Sequence, residues 1–258
     1  MTPAFEKEEK VTLHCTCPEC GKQWDIELSL TPDLADYFRE KAQNILCDPC
    51  GEAREAEEIN RFKEQAEQER IEVAGVPLNF SRWDESKGNK AIVDWVAANK
   101  HGNILLIGEV DTGKTRSMVK VLLDESAAGK KVLFRDFNSF ADGYAEAMQE
   151  GISKARSYLQ SIVNGGYDII LIDDLDKHRI NETAGSLLYK IFNQLYSGDI
   201  ASCMWFTMNH NGKEFLRQFD NQDYGAAVVS RIGRMMKDGL FHVQKIAEIT
   251  AETQNKAF

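Results

Sequence analysis

The sequence predicts an α/β fold, a parallel sheet covered by helices on both faces, with a small metal-bound module ahead of it. Three observations predict it. Short apolar runs alternate with amphipathic helical patterns over most of the chain. One of those runs leads through a glycine-rich loop into a helix. Five of the six cysteines lie between Cys15 and Cys50, in two matching knuckles. At 258 residues the chain has room for one full α/β domain and a smaller module.

The knuckles come first. Cys17-Pro18-Glu19-Cys20-Gly21 and Cys47-Asp48-Pro49-Cys50-Gly51 are each C-x-x-C followed by glycine. Two residues between thiolates let one tight turn aim both sulfurs at one ion, and the glycine tolerates the positive φ such turns often need. Cys17, Cys20, Cys47 and Cys50 therefore read as a structural four-cysteine zinc site with no open position. Cys15 stands as an alternative first ligand. The spacer is long enough for a hairpin and a short helix, with a helix start at Thr31-Pro32-Asp33. The N-terminus is charged, without the apolar core of a signal peptide, and no stretch approaches a membrane span. The expected compartment is the cytoplasm, where thiols stay reduced and clustered cysteines favour metal.

Residues 1–51 thus form the expected zinc module. From 52 to 75 the composition turns to Glu, Gln, Arg, Lys and Ala, with Ile59, Phe62 and Ala66 as a thin apolar stripe. This reads as a charged linker helix, either a solvated spacer or a partner-binding surface. Gly75-Val76-Pro77 ends it, and residues 76–258 make the larger domain. Its expected strands are 104–107, 131–135, 168–173, 202–207 and 240–243. Helical patterns occupy 91–98, 115–128, 140–150, 153–163, 182–196 and 226–236. Apolar strands alternating with helices argue for a parallel sheet.

The glycine loop is Gly108-Glu109-Val110-Asp111-Thr112-Gly113-Lys114-Thr115, a match to G-x-x-x-x-G-K-[ST] between strand and helix. Backbone N–H groups of such a loop and the helix N-terminus favour phosphate oxygens. Gly108, Asp111, Thr112 and Gly113 line it, Lys114 reaches the β- and γ-phosphates, and the Thr115 hydroxyl binds Mg²⁺. Farther on, the apolar run from Ile169 ends in Asp173-Asp174. Asp173 is placed to hold Mg²⁺ and Asp174 to polarise an attacking water. The run Trp205-Phe206-Thr207-Met208 ends at Asn209, whose amide either orients that water, touches the γ-phosphate, or caps the next helix. Arg231 and Arg234, three apart in Ser230-Arg231-Ile232-Gly233-Arg234, share one helix face. By themselves they read as a solvated surface or a nucleic-acid contact.

Together these elements, from Val76 to Val243, resemble the AAA+ P-loop ATPases, specifically the bacterial helicase loaders DnaC and DnaI and the related IstB transposition ATPases. The resemblance implies ATP and Mg²⁺ as ligands, Asn209 as the sensor residue, and Arg231 as an arginine finger completing a neighbour's site. It implies self-association through the ATPase domain, weak ATP hydrolysis in the isolated monomer, and no helical lid after the last strand. The zinc module ahead of the core is similar to DnaI-type loaders, which implies a hexameric replicative helicase as partner and single-stranded DNA as ligand. In that clade the DNA track maps to 137–160, where Lys154, Arg156 and Tyr158 lie. Two other functions share these features: an IstB-like transposition helper acting on duplex DNA, and a zinc-module interaction protein with a slow nucleotide switch. The net charge of −10 argues against a surface built to coat duplex DNA. Glu109 and Asp111 put acids beside the phosphates and imply weakened nucleotide affinity.

Overall fold

The computed structural model describes residues 9–30, 42 and 46–246. These residues fall into two compact units, dividing between Glu67 and Gln68.

In the first unit, β1 (Glu9–Thr16) and β2 (Gln23–Leu30) pair antiparallel. Alternation in the strands sends Val11, Leu13, Cys15, Trp24, Ile26 and Leu28 to one face, where Ala42 joins them. The hairpin straddles the first knuckle. It does not lie in the spacer between the knuckles, because Cys17–Lys22 is itself the turn: Cys17 N–H donates to Lys22 O and Gly21 N–H to Cys17 O. The helix start expected at Thr31 lies outside the described residues. The second knuckle opens α1 (Asp48–Ala74). Gly21 has the positive φ of 70° expected of a knuckle glycine. Gly51 is helical instead, since its turn runs straight into α1 and Gly51 N–H already donates to Cys47 O. Along α1 every residue from 52 to 70 is exposed, Ile59 and Phe62 included.

In the second unit, α2 (Leu78–Ser81) and α3 (Lys90–Asn99) lead into β3 (Asn103–Ile107) and α4 (Lys114–Ala127). Then follow β4 (Val132–Asp136), α5 (Phe137–Glu150), α6 (Ile152–Val163), β5 (Ile169–Asp173) and α7 (Glu182–Ser197). The last elements are β6 (Cys203–Met208), α8 (Gly212–Arg217), α9 (Gln222–Lys237) and β7 (Phe241–Lys245). The five strands form one parallel sheet in the order β4-β5-β6-β3-β7.

The apolar runs explain the layering. In β3, Ile104 and Leu106 enter one core and Leu105 the other; in β5, Ile169 and Leu171 oppose Ile170 and Ile172. A strand buried on both faces has no polar side to show, so it reads as an unbroken apolar run. Polar caps set where helices begin. Asp136 accepts from Ser139 N–H and starts α5 three residues before the expected 140; Asn221 accepts from Asp223 and Tyr224 N–H and starts α9 four before 226. The chain order places β3 between β6 and β7, so the carboxyl ends of β3, β5 and β6 meet on one rim, where open α/β sheets bind ligands.

Candidate functional site: a phosphate cleft and a cysteine cluster

The rim holds the residues that the motifs single out. A cleft of about 580 Å³ is lined by the glycine loop, Lys114, Thr115, Arg116, Asp174, Lys177 and Asn209, with Phe80 and Ser86 from the lead-in. Gly113 caps α4 at φ 82°, and a Cβ there would meet Lys87 O at 3.0 Å, so only glycine lets the lead-in lie this close to the loop. Ser117 latches that segment: its hydroxyl accepts from Asn89 N–H at 3.1 Å. Asp111 also sits at positive φ, 63°, which aspartate tolerates better than most residues. The side chains of Glu109 and Asp111 are exposed; it is the Glu109 carbonyl that joins the site.

Lys114 is buried and fully engaged. Its Nζ donates to Gly108 O at 2.8 Å, Glu109 O at 2.7 Å and Asn209 Oδ1 at 3.0 Å. Burial pushes its pKa down, while Asp174, Asp173, Asp176 and Asp111 pull it back up. Asp173 ends β5 and takes the Thr115 hydroxyl at 2.8 Å and the Thr207 hydroxyl at 2.5 Å on one oxygen, Oδ1. Desolvation raises its pKa to about 6, against the two hydroxyls and with the help of the Asp174 charge. A divalent cation between Thr115 and Asp173 would remove that penalty, and hydroxyl plus carboxylate is the oxygen donor set Mg²⁺ takes. Asp174 is at φ 56°, its N–H held by Thr207 Oγ1 at 2.8 Å and its carboxylate 3.5 Å from Lys177 Nζ.

Asn209 does not cap the following helix. Asn211 does that, accepting from Lys213 and Glu214 N–H, and Asn209 is free to face Lys114. Arg231 is not among the residues lining the cleft. It lies on α9 with its guanidinium on Asn193 Oδ1 and over the Tyr196 ring, both on α7.

Sequence reasoning missed two residues. Thr207 is fully buried and ties β6 to both acids at the end of β5. Asp176 is buried and accepts from the backbone N–H groups of Asn209 and His210, from Asn209 Nδ2 and from His210 Nδ1. The available signals were a hydroxyl two residues before Asn209 and a third acid in Asp173-Asp174-Leu175-Asp176.

In the first unit the four knuckle sulfurs lie within 4.8 Å of one another, Cys20 and Cys47 at 3.5 Å. A tetrahedral ion with metal–sulfur bonds near 2.3 Å needs sulfurs about 3.8 Å apart, so the cluster fits. Cys15 is not in it; its thiol packs in the hairpin core beside Leu13. The backbone N–H groups of Cys47 and Cys20 hold the Cys17 thiol down to about 6, whereas Cys50 is pushed up by its neighbours Cys47 and Cys20. The Cys17 thiolate forms readily, whereas Cys47 and Cys50 are pushed up and call for a cation.

Residues 78–253, about two thirds of the chain, match the family described as IstB-like ATP binding protein. The chain belongs to this family. It is an ATP-binding protein with a P-loop fold of AAA+ type. No curated protein matches its sequence. Among solved structures it is similar to DnaI, with TM-score 0.50 and 15% identity over 66% of this chain and 94% of that one. The DnaC helicase loader gives 0.46 and 18% over 60% and 85%, and AMPPCP-bound DnaA from Aquifex aeolicus 0.45 and 18% over 65% and 49%. The chain thus spans most of DnaI and DnaC and about half of that DnaA. At these identities the likeness is one of fold. Among the described residues no helix is long and apolar enough to cross a membrane.

Proposed function

We propose that the protein is an ATP-dependent loader of a hexameric replicative helicase. The observation that carries this reading is the pairing, in one chain, of a four-cysteine cluster and an ATP cleft of the IstB/DnaC type. The cluster binds structural Zn²⁺ and organises residues 1–51. Residues 52–75 link it to the ATPase domain, 76–258, and the module and linker carry the helicase contact. Mg²⁺ sits between Thr115 and Asp173. Lys114 and the loop of Gly108, Asp111, Thr112 and Gly113 hold the phosphates. Asp174 polarises the attacking water, and hydrolysis releases the loader. Arg231, outside its own cleft, completes that of a neighbouring copy, so turnover rises with self-association. Single-stranded DNA runs along α5 and α6.

The family match favours a second reading, a helper ATPase for a transposase on duplex DNA. Affinity capture from the native cell separates the two. Wild-type chain is expected to bring down a hexameric helicase in Mg·ATP, and Lys114→Ala to lose nucleotide control of that capture. A transposase in its place would overturn the loader reading.

A further inference from the structure

We infer that Asp176 is a positioning residue that fixes the polarity of Asn209, so that Asn209 turns its amide oxygen, and not its NH₂, toward Lys114 in the phosphate cleft. The Asp176 side chain has no exposed surface. Its Oδ1 takes Asn209 N–H at 2.8 Å and Asn209 Nδ2 at 3.2 Å; its Oδ2 takes His210 N–H at 2.6 Å and His210 Nδ1 at 2.7 Å. Both backbone N–H groups and the Asn209 amide donate into this carboxylate.

The consequence falls on the amide. Its two ends differ: the NH₂ donates and the oxygen accepts. Asp176 takes the NH₂, which turns Oδ1 toward Lys114 Nζ at 3.0 Å. An ammonium has no lone pair, so both neighbours demand the same orientation. One of the two amide N–H donors is thereby taken by Asp176, and the amide oxygen is the end that faces Lys114. It can steady Lys114 or accept the O–H of an attacking water. The orientation of the amide, which the sequence leaves open, is set by a residue three positions beyond Asp173. His210, partly exposed, holds the far side of the same carboxylate.

The test is a polarity swap in the full-length chain, read by binding of a fluorescent ATP analogue with Mg²⁺ and by turnover of ATP. Asp176→Asn keeps the shape but sets a second NH₂ against the Asn209 NH₂. Asn209→Asp sets a carboxylate against Asp176. Each single variant is expected to lose about tenfold or more in affinity or turnover, the scale of a hydrogen bond to a charged group. In the double variant the amide introduced at 176 donates to the carboxylate introduced at 209, whose second oxygen faces Lys114. Recovery of the double variant above Asn209→Asp alone supports the inference. A double variant no better than Asn209→Asp overturns it, and Asp176 then only braces the turn. Should Asp176→Asn unfold alone, that comparison still decides. The inference rests on the reading of the cleft as an ATP site. The wild-type affinity and its loss in Lys114→Ala test that reading separately.

Discussion

The two units solve the same problem by different means. The ATPase unit buries whole strands on both faces of a sheet and has two core layers rich in Leu, Ile, Phe and Trp205. The described core of the cysteine unit is Leu13, Cys15 and Ala42, with four half-buried neighbours. A core of the size seen among the described residues is one that a metal or disulfides usually support. Ligand and fold are therefore coupled differently in the two. If the cysteine cluster holds Zn²⁺, the ion is part of that unit's fold. In the ATPase unit the two core layers hold the cleft, and the site tolerates strain: positive φ at Asp111 and Asp174, and a buried carboxyl at Asp173.

Removing the metal is expected to have the greatest effect. Structural zinc contributes roughly 10–16 kcal/mol to folding in finger peptides. Chelation, or Cys17→Ser, is expected to unfold the β1–β2 hairpin, seen as a red shift of Trp24 fluorescence and loss of bound metal, with ATP affinity unchanged. ATP affinity that falls in step with metal content would erase the contrast between the units.

Next is the site that one chain leaves incomplete. Arg231→Ala is expected to spare ATP binding and lower turnover in the self-associated form by about 10³-fold or more, the range known for arginine fingers. Equal turnover in variant and wild type, with equal assembly, would return Arg231 to its role on Asn193 and Tyr196.

A core change should act on one unit only. Trp205 is fully buried and donates to Gly102 O. Trp205→Ala is expected to cost about 3–5 kcal/mol, read as a drop in the ATPase unit's Tm with metal content unchanged.

Least in size is a pH slope. In the folded chain Asp173 titrates at about 6, against 3.8 for the free group. The folded state therefore holds its proton more tightly, and the Asp173 contribution to stability is greatest below 3.8 and is lost as pH rises through 6. Without Mg²⁺ the loss is about 3 kcal/mol, and Asp173→Asn should flatten that part of the curve in denaturant unfolding. An unchanged slope would mean that Asp173 is not strained.

The fold and the cleft were legible to different depths. Strands β3, β5 and β6 were readable because a doubly buried strand cannot hide its apolar run. Lys114, Thr115, Asp173 and Asp174 were readable because phosphate and Mg²⁺ chemistry demands those types at those spacings. Thr207 and Asp176 were not, because a hydroxyl and a third acid carry no signal until β5 and β6 are known to be neighbours. The same holds for the Asn193–Arg231 contact between α7 and α9. The hairpin was misplaced because a C-x-x-C turn looks the same inside a hairpin as beside one.

If the proposed function holds, ATP in this cleft controls a helicase-loading step. Displacement of an oligonucleotide annealed to circular single-stranded DNA by the partner hexameric helicase, with wild-type chain and with Lys114→Ala, measures that control. Wild type in Mg·ATP is expected to stimulate unwinding and Lys114→Ala is not. Equal stimulation by both, or none by either with the captured helicase, would contradict the loader function.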